Sequence, residues 1–158
     1  MPSAHGVRVA LVVSQFNAGV TGALRAGAEA ALAEGGADGR DVEVFEVPGA
    51  FELPLAARLV AETGRFDAVV CLGCVIRGET PHFEYISSAV AQALAQVALS
   101  AALPVAFGVL TTDTLAQAEA RSAPGPANKG REAVVAALEM VHLARRLNQP
   151  ASPGSVRV

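Results

Sequence analysis

Charge is scarce in this 158-residue chain: only 17% of it is Asp, Glu, Lys or Arg, and 12 basic residues against 15 acidic leave a net charge of -3. That balance offers no electrostatic platform for a nucleic-acid backbone or an anionic membrane surface. Long hydrophobic runs are absent as well. No early segment joins a basic start to a long apolar core and a cleavage site, and the apolar runs present are too short and too interrupted to span a bilayer. A cytoplasmic protein is the expectation. Cysteine is limited to Cys71 and Cys74, spaced CLGC at the end of an apolar run. A structural zinc ion needs four ligands, and an activated thiol pair usually sits at the start of a helix, whereas this pair lies several residues before one. The two are read as small buried hydrophobes. Repeats and linkers are also missing, so the chain reads as one domain over 1–158, with an ordered core from about 7 to 147 between short tails.

What the chain does have is apolar residues, 52% of the total, with a mean hydropathy of +0.40. Part of that surplus is expected to meet copies of the same chain. Four short stretches rich in β-branched residues read as strands: Val7 to Ser14 (VRVALVVS), Val42 to Val47 (VEVFEV), Asp67 to Leu72 (DAVVCL) and Val105 to Leu110 (VAFGVL). Alanine-rich amphipathic stretches alternate with them, from Val20 to Glu34, Glu52 to Thr63, His82 to Ala101 and Lys129 to Leu147. Near-continuous apolar strands separated by helices predict a three-layer α/β sandwich, a four-stranded parallel sheet with helices on both faces. Gly35, Gly36, Gly64 and Pro104 are placed to end helices. The irregular SAPGPA from Ser122 to Ala127 reads as a loop before the last helix.

Parallel sheets of this kind bind ligands beyond the carboxyl ends of their strands. Phe16 and Asn17 follow the first strand, Gly49, Ala50, Phe51 and Glu52 the second, and Thr111, Thr112 and Asp113 the fourth. Each has an ordinary reading beside a functional one. Phe16 is either a cover for the core or a stacking platform. Asn17, Thr111, Thr112 and Asp113 are N-cap material, and Glu52 suits the start of a helix by its charge alone. Arg121, at the end of a short helix-like stretch, and Lys129, in NKG, are either salt-bridge partners or cations for a ligand.

The third junction, VIRGETPHFEYIS from Val75 to Ser87, carries more charge than a turn requires. Thr80 and Pro81 fit an N-cap and a first helical position. The free amides and positive dipole end of that helix would form an anion site, rimmed by Arg77, Gly78 and Glu79. A phosphorylated substrate is therefore expected. His82 falls in the first turn, where the dipole opposes a positive imidazolium, so it is either a structural histidine or a base beside the anion. His5, in a polar tail, and His142, late in the last helix, read as surface residues.

In this order, FN at 16–17, VPGAFELP at 47–54, LGCVIRGETPHFEYIS at 72–87, PVAFGVLTTDT at 104–114 and NKG at 128–130, the chain closely resembles the 6,7-dimethyl-8-ribityllumazine synthase family, from about Val7 to Leu147. The resemblance implies a flavodoxin-like fold. It also implies condensation of 5-amino-6-(D-ribitylamino)uracil with 3,4-dihydroxy-2-butanone 4-phosphate, with water and inorganic phosphate leaving and neither metal nor organic cofactor taking part. By the same resemblance Phe16 stacks on the pyrimidine, Asn17, Gly49, Ala50, Phe51 and Glu52 lie near the ring and ribityl chain, and Cys74, Val75 and Ile76 contact the uracil. His82 is the implied proton shuttle. Arg77, Gly78, Glu79, Thr80 and Arg121 are the implied phosphate holders, while Phe107 and Lys129 match pocket positions, Arg121 and Lys129 having a catalytic part as well. The family's sites lie between neighbouring subunits of a pentamer, which would place Phe107, Arg121 and Lys129 against the next chain's half of a site.

Two departures stand out. Family members often carry a glutamate just before the phosphate arginine, but Ala120 precedes Arg121 here, and Glu119 is one residue off and faces elsewhere on a helix. About six residues precede the first strand, where members that build icosahedral shells have a further N-terminal strand, so pentamer, decamer and larger shell all stay open. The alternatives to this reading are an archaeal-type riboflavin synthase, against which IRGETPH speaks, and a flavin- or nucleotide-binding module without catalysis, whose first loop should be richer in hydroxyls than QFNAGVT.

Overall fold

The computed structural model describes residues 1–150. Its first strand, β1 (Val9–Ser14), is buried along its whole length, as expected of a β-branched run that is covered on both sides. Helix α1 (Ala18–Glu34) follows, then β2 (Val42–Val47), α2 (Leu53–Glu62), β3 (Ala68–Ile76), α3 (His82–Ala101), β4 (Val105–Thr112), α4 (Leu115–Ser122) and α5 (Lys129–Leu147). The strands form one parallel sheet in the order β2-β1-β3-β4. The predicted α/β class is thus the observed one, and the arrangement is flavodoxin-like.

Right-handed crossovers decide which face each helix covers. The step from β1 to β2 runs one way along the sheet and those from β2 to β3 and β3 to β4 run the other, so α1 lies on one face and α2 and α3 on the opposite one. Two apolar layers result. Leu11, Val70 and Leu72 pack with Leu24, Leu32 and Leu138 of α1 and α5, while Val12, Val69 and Cys71 pack with Leu53, Val60, Val90 and Leu94 of α2 and α3.

Several boundaries differ from those predicted. β3 continues past Leu72 to Ile76, and β4 past Leu110 to Thr112, because the two strands pair on through Gly73 and Val109 to Ile76 and Thr112. Gly73 lies past the expected end at Leu72, yet it pairs inside the ladder, and a Cβ there would come within 3.1 Å of the Leu53 side chain packed against that face. β1 starts at Val9 rather than Val7, since the Arg8 amide bonds the Asp67 carboxylate instead of a neighbouring strand. Helix α3 ends in a left-handed Ala102, where no glycine signals the stop.

The polar N-terminal tail is in fact docked. Ala4 and Val7 are fully buried, the Ala4 amide donates to the Gly35 carbonyl at 2.8 Å, and His142 bonds the Ser3 carbonyl at 2.7 Å. His142, read as a plain surface residue, helps hold this segment to α5. The C-terminal tail expected after Leu147 lies, from residue 151 onward, outside the described residues. Among the described residues no helix is long and apolar enough to cross a membrane.

Candidate active site

The strand order reverses between β1 and β3, and the loops leaving their carboxyl ends part there. A cavity of about 400 Å³ opens at that place. Phe16 and Asn17 line it from the exit of β1, and Gly49, Ala50, Phe51 and Glu52 from the exit of β2. Cys74, Val75 and Ile76 line it from the end of β3, with Gly78, Thr80 and His82 beyond them. Two further lining residues, Phe83 and Ile86, escaped the sequence reading. Their signal was present: His82, Phe83 and Ile86 share the helical spacing that turns one side of the first turn of α3 toward a single point.

Local hydrogen bonds hold these loops. The Gln15 amide donates to the Val47 carbonyl at 2.8 Å and the Phe16 amide to the Pro48 carbonyl at 3.2 Å, which keeps the exits of β1 and β2 side by side. Asn17 then takes a left-handed conformation, φ 61°, that asparagine tolerates better than most residues. It occupies the N-cap position of α1, but its side chain caps nothing. Instead its Nδ2 donates to the Cys74 carbonyl at 3.0 Å, tying the first loop to the end of β3. Phe16 is 70% exposed and lines the cavity, so the reading of that ring as a core cover falls away.

At the third junction the helical stretch runs from His82 to Ala101 as expected, but its cap lies one residue later than Thr80. Pro81 is the N-cap of α3, its carbonyl accepting from the Glu84 amide at 3.1 Å, and Thr80 caps nothing. The threonine–proline pair suggested otherwise, but proline's fixed φ serves the residue before the first helical one equally well here. His82 is accordingly the first residue of the helix. Among the described residues the amides of Gly78, Glu79 and Thr80 have no intramolecular acceptor, and no side chain caps α3. Open donors therefore stand beside His82 at a helix N-terminus.

Arg77 and Glu79 do not line the cavity. The Arg77 guanidinium donates to Asp113 at 2.7 Å and Glu84 at 3.3 Å and lies over the Phe83 ring at 4.7 Å. The bond to Asp113, followed by that to Glu84, raises its pKa further. Together with the Arg77 amide bonded to the Thr112 carbonyl at 2.8 Å, these contacts join the loop after β3 to the loop after β4.

Phe107, Arg121 and Lys129 are elsewhere. They line a second cavity of about 230 Å³ along the free edge of β4, together with Thr111 and Thr112. Thr111 and Thr112 belong to the strand; the cap of α4 is Thr114, which forms a reciprocal capping box with Gln117. Arg121 donates to the Gln117 carbonyl at 3.2 Å and pairs with no carboxylate among the described residues, whereas Lys129 pairs with Glu132 at 2.7 Å. One chain thus gathers most of the implied residues round His82, leaves Arg77 and Glu79 outside that cavity, and holds Phe107, Arg121 and Lys129 apart in a second one.

Two comparisons bear on this arrangement. The family model described as 6,7-dimethyl-8-ribityllumazine synthase matches residues 6–145, most of the chain and both cavities. The protein named 6,7-dimethyl-8-ribityllumazine synthase in Syntrophus aciditrophicus (strain SB) is 49% identical over 144 residues, 91% of this chain and 94% of that one. The chain belongs to the lumazine synthase family. Lumazine synthases are transferases of riboflavin biosynthesis.

In this member of the lumazine synthase family the two thiols are held by burial in their protonated form. Burial pushes Cys71 up to about 12 and Cys74 up to about 11 from an ordinary 9.0. Among the described residues no group of three His, Cys, Asp or Glu side chains could hold a metal ion. The raised values also imply a pH dependence with a definite sign. The folded chain keeps its thiol protons where the unfolded chain loses them, so this contribution to stability is complete below pH 9.0 and declines as pH rises toward 11 and 12. Denaturant midpoints measured at about pH 8 and about pH 10.5 are expected to fall, and Cys71→Ala with Cys74→Ala to flatten that fall.

Proposed function

We propose that this chain, acting in the cytoplasm, condenses 5-amino-6-(D-ribitylamino)uracil with 3,4-dihydroxy-2-butanone 4-phosphate to 6,7-dimethyl-8-ribityllumazine. The observation that carries this is the meeting, in one cavity at the sheet's switch point, of an outward-facing aromatic ring, a carboxylate, open helix-start amides and a histidine. Phe16 offers a face to the pyrimidine. Glu52 and the backbone of Cys74 to Ile76 offer polar partners to the ring and ribityl chain. The amides from Gly78 to Thr80 receive the phosphate ester, with His82 next to it.

The chemistry then follows from proton bookkeeping. The pyrimidine's 5-amino group adds to the ketone, the carbinolamine loses water, the chain loses inorganic phosphate, and the ribityl-bearing amine closes the ring with loss of a second water. Each step moves a proton between nitrogen, carbon and oxygen, and His82 is placed to take and return it. Alignment of two flexible substrates is the other half of catalysis, since positioning alone is worth roughly 7–11 kcal/mol.

A homopentamer, or a multiple of it, completes the site in this reading, with Phe107, Arg121 and Lys129 of one chain facing the 400 Å³ cavity of the next. Support comes from the exposed apolar residues Phe51, Leu55, Leu59 and Leu99, which a single chain leaves uncovered. The deciding experiment has two arms. Both substrates together are expected to yield lumazine fluorescence, whereas lumazine alone is expected to yield no riboflavin. The opposite pattern marks a riboflavin synthase, and silence in both arms marks a binding module.

A further inference from the structure

Arg121 and Lys129 line the same cavity, yet no side-chain contact joins them. Among the described residues Arg121 bonds only the Gln117 carbonyl of its own helix, and Lys129 bonds Glu132 of its own. The five residues 123–127 that separate the end of α4 from Asn128 include two prolines and a left-handed Gly125 and belong to no strand or α-helix. Something must fix where one cation stands relative to the other.

The buried side chain between them does so. Asn128 is 2% exposed and caps α5, its Oδ1 accepting from the Arg131 amide at 3.1 Å. Its Nδ2 donates to the carbonyls of Ser122 at 2.7 Å and Ala123 at 3.2 Å, at the unclosed end of α4, and to the Ala23 carbonyl of α1 at 3.3 Å. Two amide hydrogens thus serve three carbonyls on two helices, and the carboxamide oxygen serves a third helix. The Asn128 amide closes the loop from within on the Gly125 carbonyl at 3.2 Å. The surroundings are shaped to this side chain: a Cβ on Gly27 of α1 would collide with the Asn128 carboxamide, and one on Gly130 would collide with the Leu24 carbonyl.

We propose that Asn128 is a positioning residue for the phosphorylated substrate: by pinning the end of α4 and the start of α5 to α1, it sets Arg121 and Lys129 at the separation a phosphate ester requires. The proposal rests on the reading of Arg121 as a phosphate cation. Asparagine is the side chain for the task because it supplies donors and an acceptor from one planar group. Aspartate would bring a charge and no donor to three buried carbonyls, and alanine would leave all of them unpaired.

The test is kinetic and uses the full chain. Asn128→Ala is expected to raise KM for the phosphorylated ketone on the order of tenfold while leaving KM for the pyrimidine near its starting value, because only one substrate's clamp is loosened. Gly27→Ala displaces the same carboxamide from the α1 side, at a position that lines neither site cavity, and is expected to do likewise. Added to Arg121→Ala, Asn128→Ala should raise that KM by clearly less than the product of the single effects, the mark of two residues acting through one contact. Arg121→Ala with reduced affinity beside a folded Asn128→Ala or Gly27→Ala chain of unchanged KM overturns the positioning role alone, as do fully multiplicative effects. Unchanged affinity in Arg121→Ala overturns the phosphate reading and the positioning role with it. Should Asn128→Ala fail to fold, Gly27→Ala decides by the same criteria; should both fail, the joint is a folding element and the positioning role falls.

Discussion

Replacing His82 with alanine is expected to lower kcat on the order of 10²-fold, with both KM values little changed. General acid–base groups contribute roughly 10² to 10⁴-fold, and the low end applies because an amine and a ketone react readily without help. The position allows a clean test. His82 is exposed, makes no side-chain hydrogen bond among the described residues and begins α3, so its loss removes no core contact and no cap. Stability should move by no more than about 0.5 kcal/mol, as for surface substitutions generally. A fall in kcat at unchanged melting temperature is then a chemical effect. Steady-state rates followed by lumazine absorbance across a pH series check this, and wild-type turnover at every pH in the variant would remove His82 from the proton path.

The layers of the fold were legible because burial on both faces leaves a plain mark: VALVVS and AVVCL are apolar without alternation, and only a parallel sheet between helices hides such runs. Strand ends were harder. Gly73 fell outside the predicted strand, since the residue it must avoid, Leu53, lies twenty positions away and comes close only through the fold. Gly35, by contrast, ended α1 where glycine usually does, although Gly36 takes the left-handed conformation. The N-terminal segment read as a tail because its anchors, Gly35 and His142, are remote in sequence.

For the site, residue types were readable and their partners were not. His82 and Phe16 stood at strand exits and could be picked out by chemistry alone. Arg77 was grouped with the anion rim for its charge, but Asp113 and Glu84 engage its guanidinium, and only the pairing of β3 with β4 brings Asp113 within reach. Thr80 was read as a cap because threonine before proline suits one; the dihedral angles of the turn, which sequence does not encode locally, gave that position to Pro81. Asn128 hid in NKG beside a more conspicuous lysine, since a buried amide with four partners has the same letter as a loop asparagine on the surface.

For Arg121→Ala the expected result is a rise in KM for the phosphorylated ketone of roughly 10 to 150-fold, the range that corresponds to losing a charge-assisted hydrogen bond worth about 1.5–3 kcal/mol. Arg121 is exposed in the single chain, lacks a carboxylate partner among the described residues and rests only on the Gln117 carbonyl, so turning to a phosphate breaks one weak contact and no ion pair. That separates it from Arg77, whose two carboxylates would have to be given up. Arg121→Lys should recover part of the affinity, because a point charge remains but the two-pronged geometry is lost. Inorganic phosphate offers an independent reading: its inhibition should weaken in Arg121→Ala by a factor similar to the KM change. The wild-type KM for the phosphorylated ketone should also rise with salt more steeply than that of the variant, since an accessible cation meets its anion through solvent that added ions screen. If Arg121→Ala instead weakened only the pyrimidine, the cation would belong beside the ring, and the amides from Gly78 to Thr80 would be left to hold the phosphate without it.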